Sequence, residues 1–422
     1  MPGIDIGVDF CGIHLSTPFL IASAPSTTRI GEIYKHAEQI AKNGWSGVVT
    51  KTVITKEKYD PELKPYLWTT PQFRIVAMQN AGPQLDIYSK SLIKELKRDT
   101  EAAHAAGIKV IVSIIGSTYG QWGEMANECE QAGADAIELN LSCPSYRPTM
   151  QSSMGGARVG GDPEEAGRAV EATVSGTNLP VIAKLTVHAS DISAVATACQ
   201  EAGCSAISAI NTVRGLIGID IQTEMPLSSD IEGRCHYSGL SGPLIKPIAL
   251  GICANLALSV DVPISAIGGI VDWRDAVEFL LAGASNVQVG TGMMWYGLGL
   301  GTRLRSGLES YMAKKGYSSI QDFRGHALRY LVTAEKQDSR GHTVRYISTA
   351  AIPEVYPSDC HMELSREKCN MCRMCLIACR DASMDAIEEV NGNLRIDRSK
   401  CTICGLCMVV CKPGAITLKR EA

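Results

Sequence analysis

Short apolar runs rich in β-branched residues alternate with longer stretches of helical period from residue 18 to about residue 300. The runs are Pro18–Pro25, Gly47–Val53, Lys109–Gly116, Ala136–Ser142, Pro180–Thr186, Ala206–Thr212, Pro263–Ile270 and Asn286–Gly292. Each ends in polar residues or glycine. Most are followed by patterns such as "SLIKELKRDTEAAHAAG" and "EEAGRAVEATVSG", with apolar residues three and four apart. Strand alternating with helix predicts an α/β fold on a parallel sheet. Eight such units over this length predict a closed (β/α)8 TIM barrel. The competing arrangement is a doubly wound open sheet. No G-x-G-x-x-G follows an early strand, so the dinucleotide fingerprint of that fold is missing.

The rhythm breaks after residue 310. Residues 311–360 begin with a helical stretch and continue as a polar, proline-marked segment, which reads as a connection between domains. Residues 361–422 form a third, cysteine-rich region, so the expected division is 1–310, 311–360 and 361–422. A length of 422 residues fits more than one core.

The cysteines change the picture most. Sixteen occur, and eight of them form two combs of spacing C-x2-C-x2-C-x3-C: Cys369, Cys372, Cys375 and Cys379, then Cys401, Cys404, Cys407 and Cys411. This is the bacterial ferredoxin spacing for two [4Fe–4S] clusters, in which the fourth cysteine of one run serves the other cluster. The expected sets are Cys369, Cys372, Cys375 and Cys411 for one cluster, and Cys401, Cys404, Cys407 and Cys379 for the other. Zinc, the competing metal, needs only four ligands and rarely takes three at such steps. The proline that usually follows the fourth cysteine is replaced by Arg380, and in the second comb Lys412 stands before Pro413. The other eight cysteines lie mostly among small apolar neighbours and read as reduced core residues, which fits a cytoplasmic location. The net charge of −4 offers no basic field for nucleic acid. No run is long and apolar enough for a membrane span, and the N-terminal stretch lacks the pattern of an export signal.

In a (β/α)8 barrel the chemistry lies at the C-terminal ends of the strands. Those ends carry Ala22 and Ser23, Lys51 and Thr52, Asn140 and Ser142, Lys184, Asn211 and Thr212, Gly268 and Gly269, and Gly290 and Thr291. The last two pairs close strands seven and eight, the usual seat of a phosphate held by backbone N–H groups. A lysine ending strand five suits the N1–O2 edge of a flavin. Each residue alone could equally be a solvated loop or a satisfied core polar group.

The ordered motifs "PFLIASAP", "TKT", "ELNLSCP", "AKLT", "AINTVRG", "SGLSGP" and "AIGGI", with the combs behind them, cover nearly the whole chain. Together they resemble the dihydropyrimidine dehydrogenase branch of the dihydroorotate dehydrogenase family, and within it the iron–sulfur subunits of bacterial NAD-dependent enzymes. The resemblance implies an FMN barrel fused to a two-cluster tail. It implies that Ala22, Ser23, Lys51, Lys184, Ser241, Gly242, Gly268, Gly269, Gly290 and Thr291 contact FMN. Asn80, Asn140, Ser142, Asn211 and Thr212 would face the substrate. Electrons would arrive from an FAD- and NAD(P)-binding partner subunit or a ferredoxin, in a homodimer or heterotetramer, with tail and barrel of different protomers side by side.

Two departures accompany the resemblance. The family's pyrimidine reductases carry a proton-transferring cysteine in the loop after "LNLSCP", where this chain has Val159. Replacement acids in that loop are Tyr146, Ser152 and Ser153; Cys143 matches a structural cysteine of the family. The glutamate two residues after the asparagine is replaced by Gly82. Both changes point away from uracil and thymine. His188 is within reach of the barrel mouth, whereas His236 reads as a surface residue. The expected function is reduction or oxidation of a C=C bond in a pyrimidine-like or other conjugated cyclic substrate. The alternative is an electron-transfer subunit with no organic substrate of its own.

Overall fold

The computed structural model describes residues 4–24, 30–54, 67–70, 74–78, 85–86, 90–142, 156–227, 235, 237–337, 341, 343–348 and 360–420. The chain divides into two compact units, Met1–Ser348 and Thr349–Ala422.

The first unit is the barrel. Its strands are β1 (Phe19–Ile21), β2 (Gly47–Val49), β3 (Lys109–Ile115), β4 (Ala136–Asn140), β5 (Val181–Lys184), β6 (Ala206–Ala209), β7 (Ile264–Ile267) and β8 (Asn286–Val289). Every neighbouring pair is parallel, and β8 returns to β1 with Val287 opposite Phe19. The sheet is therefore closed, and all eight apolar runs supply its strands. Helices follow each strand: α1 (Ile33–Lys42), α2 (Lys90–Ala105), α3 (Tyr119–Gln131), α4 (Pro163–Val174), α5 (Ile192–Glu201), α6 (Lys246–Ser259), α7 (Trp273–Leu281) and α8 (Gly299–Lys315). Their starts are chemically marked. Asp162 accepts the N–H groups of Glu164 and Glu165 ahead of Pro163-led α4, and Thr118 and Asp191 cap α3 and α5 in the same way. Such caps satisfy orphan donors of the first turn and favour acidic residues there.

Long excursions after β2 and β6 build a second, antiparallel sheet. Leu67–Thr70 pairs with Ile75–Met78, which pairs with Ser238–Ser241, which pairs with Val213–Gly215. This sheet walls one side of the barrel mouth.

Residues 311–348, expected as part of a connection, belong with the barrel unit. Tyr317 stacks on Phe323 with ring centroids 5.2 Å apart, and Tyr311 meets the same ring edge-on. A hairpin, Thr333–Gln337 with Thr343–Ile347, is tied to α6 by the Ile347 N–H to Asn255 Oδ1 (3.0 Å) and by Ser259 Oγ to the Arg345 carbonyl (2.8 Å). The polarity that reads as a linker is this hairpin's exposed face.

The second unit pairs Cys360–Leu364 with Ile416–Arg420 and Ile387–Val390 with Asn393–Ile396. Between these lie two short helices, α9 (Met374–Asp381) and α10 (Leu406–Val410), each opening just before the third cysteine of a comb. Among the described residues no helix is long and apolar enough to cross a membrane.

Inside the barrel, apolar packing gives way to a polar layer. Glu138 on β4 is fully buried. Its Oε1 accepts from Lys184 Nζ on β5 (3.0 Å), and its Oε2 accepts from Ser208 Oγ on β6 (3.0 Å) and Gln288 Nε2 on β8 (2.8 Å). A buried ion pair is weak evidence of net stability, but removing one member strands the other charge. Glu138→Ala should therefore cost roughly 3–5 kcal/mol, and Glu138→Leu combined with Lys184→Met should recover most of it. All five tryptophans lie in the barrel unit, so intrinsic fluorescence during denaturant unfolding reads this transition alone. Equal losses in the single and double variants would show that the pair does not set the barrel's stability.

Candidate functional site

The strand ends enclose a cleft at the barrel mouth, open to solvent on one side. It is lined by Ala22, Ser23, Lys184, Asn211, Thr212, Ser241, Gly242, Gly268, Gly269, Gly290 and Thr291 among others. The structure thus brings together most of the residues expected at cofactor and substrate. Lys51 is buried beyond β2 but does not line the cleft. Asn80, Tyr146, Ser152 and Ser153 lie outside the described residues, as do Gly82, Cys143 and His236.

Glycine at the ends of β7 and β8 serves distinct needs. Gly269 has φ +76°, and a Cβ there would fall 2.7 Å from Lys246 Cβ; Gly268 has φ +141° and would collide with Ala249. Few other residues could adopt that backbone. At Gly290 the nearest atoms to such a Cβ are those of Ala22 and Ala24, at 3.7 and 3.9 Å, so a side chain here would occupy the cleft itself. These three glycines form a backbone cradle along the cleft, with Thr291 Oγ1 donating to Ser241 Oγ at 2.8 Å beside it.

The floor is charged but balanced. The Lys184 side chain is 5% exposed and points its ammonium between the cleft and Glu138. Gln288 also lines the cleft, and its buried Oε1 has no hydrogen-bond partner among the described residues. An unpaired buried acceptor is costly, and a ring N–H entering the cleft would satisfy it. Gln288 and Glu138 are absent from the residues singled out in the sequence. The signal was available: each sits two places before a strand-end residue, Gly290 and Asn140, and so shares its inward face.

The amide row forms a continuous chain. Ser113 Oγ meets Thr52 Oγ1 (3.0 Å), which accepts from Asn140 Nδ2 (3.0 Å). Asn140 Oδ1 accepts from Ser142 Oγ (3.1 Å) and Asn211 Nδ2 (3.0 Å), and Asn211 Oδ1 accepts the Thr212 N–H at 2.7 Å. Asn140 and Ser142 are buried and hydrogen-bond Asn211, which lines the cleft with Thr212. Val159, expected from the sequence at the family's cysteine position, is 1% exposed and packs in the barrel core on the short helix Gly156–Val159. His188 spends Nε2 on the Arg214 N–H (2.9 Å); burial, then the Arg214 charge, hold its pKa below the usual value, so it stays neutral at pH 7.

In the second unit two cavities are lined by cysteine. One carries Cys369, Cys372, Cys375 and Cys411, the other Cys379, Cys401, Cys404 and Cys407. Each takes three from one comb and the fourth from the other. No three metal-ligating side chains among the described residues converge on a point that would hold a single ion. Four cysteines around each cavity, three from one comb and one from the other, are the donor set of a [4Fe–4S] cube. Cys379 Sγ accepts the Ala386 N–H at 3.3 Å and Cys411 Sγ the Ala415 N–H at 3.2 Å, bonds that tune cluster potential. Burial, followed by the neighbouring Cys401 and Cys404, pushes the Cys407 thiol up to about 11, so loading must displace protons.

Comparison with known proteins follows this division. Residues 6–312 match the dihydroorotate dehydrogenase family and residues 394–417 the 4Fe-4S binding domain. The chain is 34% identical to the NAD-dependent dihydropyrimidine dehydrogenase subunit PreA of Escherichia coli (strain K12), over 91% of this chain and 87% of that protein. It is 37% identical to the catalytic subunit of dihydroorotate dehydrogenase B (NAD(+)) of Pyrococcus abyssi, over 76% of this chain and 99% of the relative. It is 30% identical to the chloroplastic dihydropyrimidine dehydrogenase (NADP(+)) of Arabidopsis thaliana, over 78% of each. A closed barrel with a glycine cradle, a buried lysine and an amide row, followed by a two-cavity cysteine unit, therefore belongs to the dihydroorotate dehydrogenase family.

Proposed function

We propose that this chain is an FMN- and iron–sulfur-dependent oxidoreductase acting on a CH–CH bond of an uncharged, pyrimidine-like or otherwise conjugated cyclic amide. One observation carries the reading: glycine cradle, Lys184 and the Asn211–Thr212 pair converge on one cleft at the strand ends. FMN, when bound, stores two electrons and exchanges them with the substrate as hydride. The chain's own residues do the rest. Gly268, Gly269 and Gly290 receive the phosphate, and Lys184, held by Glu138, faces the polar edge of the ring. Asn211, fixed by Asn140 and Ser142, and Thr212 present amide and hydroxyl groups suited to alternating C=O and N–H.

A proton must still reach or leave the substrate. Val159 cannot supply it, being apolar and buried. Within the proposal the donor is one of Tyr146, Ser152 and Ser153 in the loop after β4. The crossed cysteine sets would hold the two clusters, which would supply one-electron transfer to an FAD- and NAD(P)-binding subunit or a ferredoxin, as no nicotinamide fingerprint occurs in the given sequence. The competing reading, a relay without a substrate, draws on the buried Val159 and is decided by the flavin experiment below.

Anaerobically reconstituted protein should hold about eight irons per chain if both cubes form. Cys379→Ala and Cys404→Ala should leave the same surviving EPR signal, and Cys411→Ala and Cys372→Ala should leave the other. A match between Cys379→Ala and Cys372→Ala would overturn the crossed ligand sets.

Photoreduced holoenzyme, mixed anaerobically with uracil, thymine, orotate and other unsaturated lactams, should have its flavin reoxidised by at least one of the uncharged compounds. Asn211→Ala should then lose roughly 10- to 100-fold in that rate with FMN retained, the weight of a hydrogen bond or two in a desolvated site. Reoxidation by none of them, with electron exchange to ferredoxin intact, would leave the relay reading.

A further inference from the structure

The segment leaving β7 holds a backbone that must be fixed from outside. Gly268 and Gly269 carry positive φ, and Gly269 lies against the start of α6, where a Cβ would come within 2.9 Å of the Lys246 nitrogen. On its far side the Ile270 carbonyl packs so near Gly292 that a Cβ there would approach to 2.4 Å. Two glycines have the most conformational freedom to lose, so a loop built on them needs anchors to stay in one state.

Asp275, in the first turn of α7, supplies the anchors. Its Oδ2 accepts the N–H groups of Val271 (3.0 Å) and Asp272 (2.9 Å), immediately beyond the cradle. Its Oδ1 accepts from Lys246 Nζ at 2.7 Å, and the same ammonium reaches Glu278 at 2.9 Å. Asp272 in turn caps α7 through the Arg274 N–H, so the capping box and the ion pair share one carboxylate. One side chain thus ties the exit of β7, the start of α7 and the start of α6. Lys246, next to the cradle, would be an obvious counter-charge for a phosphate, but two carboxylates engage it. Burial opposes its charge, yet the bonds from Asp275 and Glu278 outweigh that and hold its pKa above the usual value.

We propose that Asp275 is a positioning residue for the cofactor's phosphate: it fixes the Gly268–Gly269 cradle and draws the Lys246 ammonium aside, leaving the phosphate to the backbone. This rests on the FMN reading of the cleft.

The test compares FMN with riboflavin, which lacks the phosphate, by flavin-fluorescence titration of the deflavinated full-length protein with its clusters intact. Wild type should bind FMN much more tightly than riboflavin. Asp275→Asn should weaken FMN by roughly tenfold or more while riboflavin stays within about twofold, because charge-assisted bonds to the cradle are lost and ring contacts are not. Glu278→Gln, which leaves every bond of Asp275 in place, should keep FMN affinity within about threefold, as expected for a half-exposed ion pair. Should Asp275→Asn fail to fold, Asp275→Ser leaves the Asp272 cap in place, cannot hold Lys246 and should show the same selective loss. Equal weakening of FMN and riboflavin, or no change in FMN, would overturn the positioning role. Wild-type protein that binds both flavins alike would instead sink the phosphate cradle, and with it the reading on which this role rests.

Discussion

A carboxylate buried in the middle of a barrel is the constraint on which the rest of the first unit depends. Glu138 is fully enclosed, and its two oxygens are shared by side chains from β5, β6 and β8. A charge so placed is tolerated only if every lone pair is met. Satisfying it requires four strands to hold their registers together, since each donor comes from a different one. Two of the donors also meet the cleft: Lys184 and Gln288 line it while Glu138 holds the Lys184 ammonium and the Gln288 amide nitrogen. Barrel closure and site geometry are thus one problem with one solution. An apolar layer at this height would have been easier to pack, but it would leave nothing to present a cation at the mouth.

Much of this was legible in the chain. Eight β-branched runs mark the eight strands, and reading their final residues leads to Lys184, Asn211, Gly268 and Gly290, because strand ends and chemistry coincide in this architecture. The cysteine spacing yields the crossed sets, since a fourth cysteine carried onto a helix turns away from its own three. Less visible was whatever depends on long-range partners. Glu138 and Gln288 look like ordinary strand residues until the barrel closes around them. The antiparallel wall from Leu67 to Ser241 has strands of three or four residues, too short for a periodic signal. The hairpin at 333–347 reads as linker because its outer face is polar; only its bonds to Asn255 and Ser259 reveal that it belongs to the barrel.

Val159, which the sequence reading sets in place of a proton-transferring cysteine, sits in the core. The lining of the cleft offers hydroxyls, amides and one lysine engaged by a glutamate. An anion brought there would find the only cation among the described lining residues already engaged by Glu138.

The cleft and the cysteine-lined cavities both rest on backbone that most residues avoid, and the two units solve that problem differently. In the barrel the left-handed positions beside the cleft are glycines, and an aspartate–lysine pair holds the loop that contains them. In the cysteine unit the residues on either side of each comb's second cysteine are left-handed: Met371 and Arg373 in the first comb, Ile403 and Gly405 in the second. Only one of these four is glycine. A side chain in that conformation costs on the order of 1 kcal/mol, so the remaining three must be compensated. Arg373 makes two bonds to Glu389, Nε to Oε2 at 2.7 Å and Nη2 to Oε1 at 2.9 Å, a fork geometry that fixes its direction. The curl is set by where the sulfurs must point. After the second cysteine glycine supplies it freely in the second comb, whereas the first clamps an arginine to the Ile387–Val390 strand, which couples the shape of that cavity to the hairpin beside it.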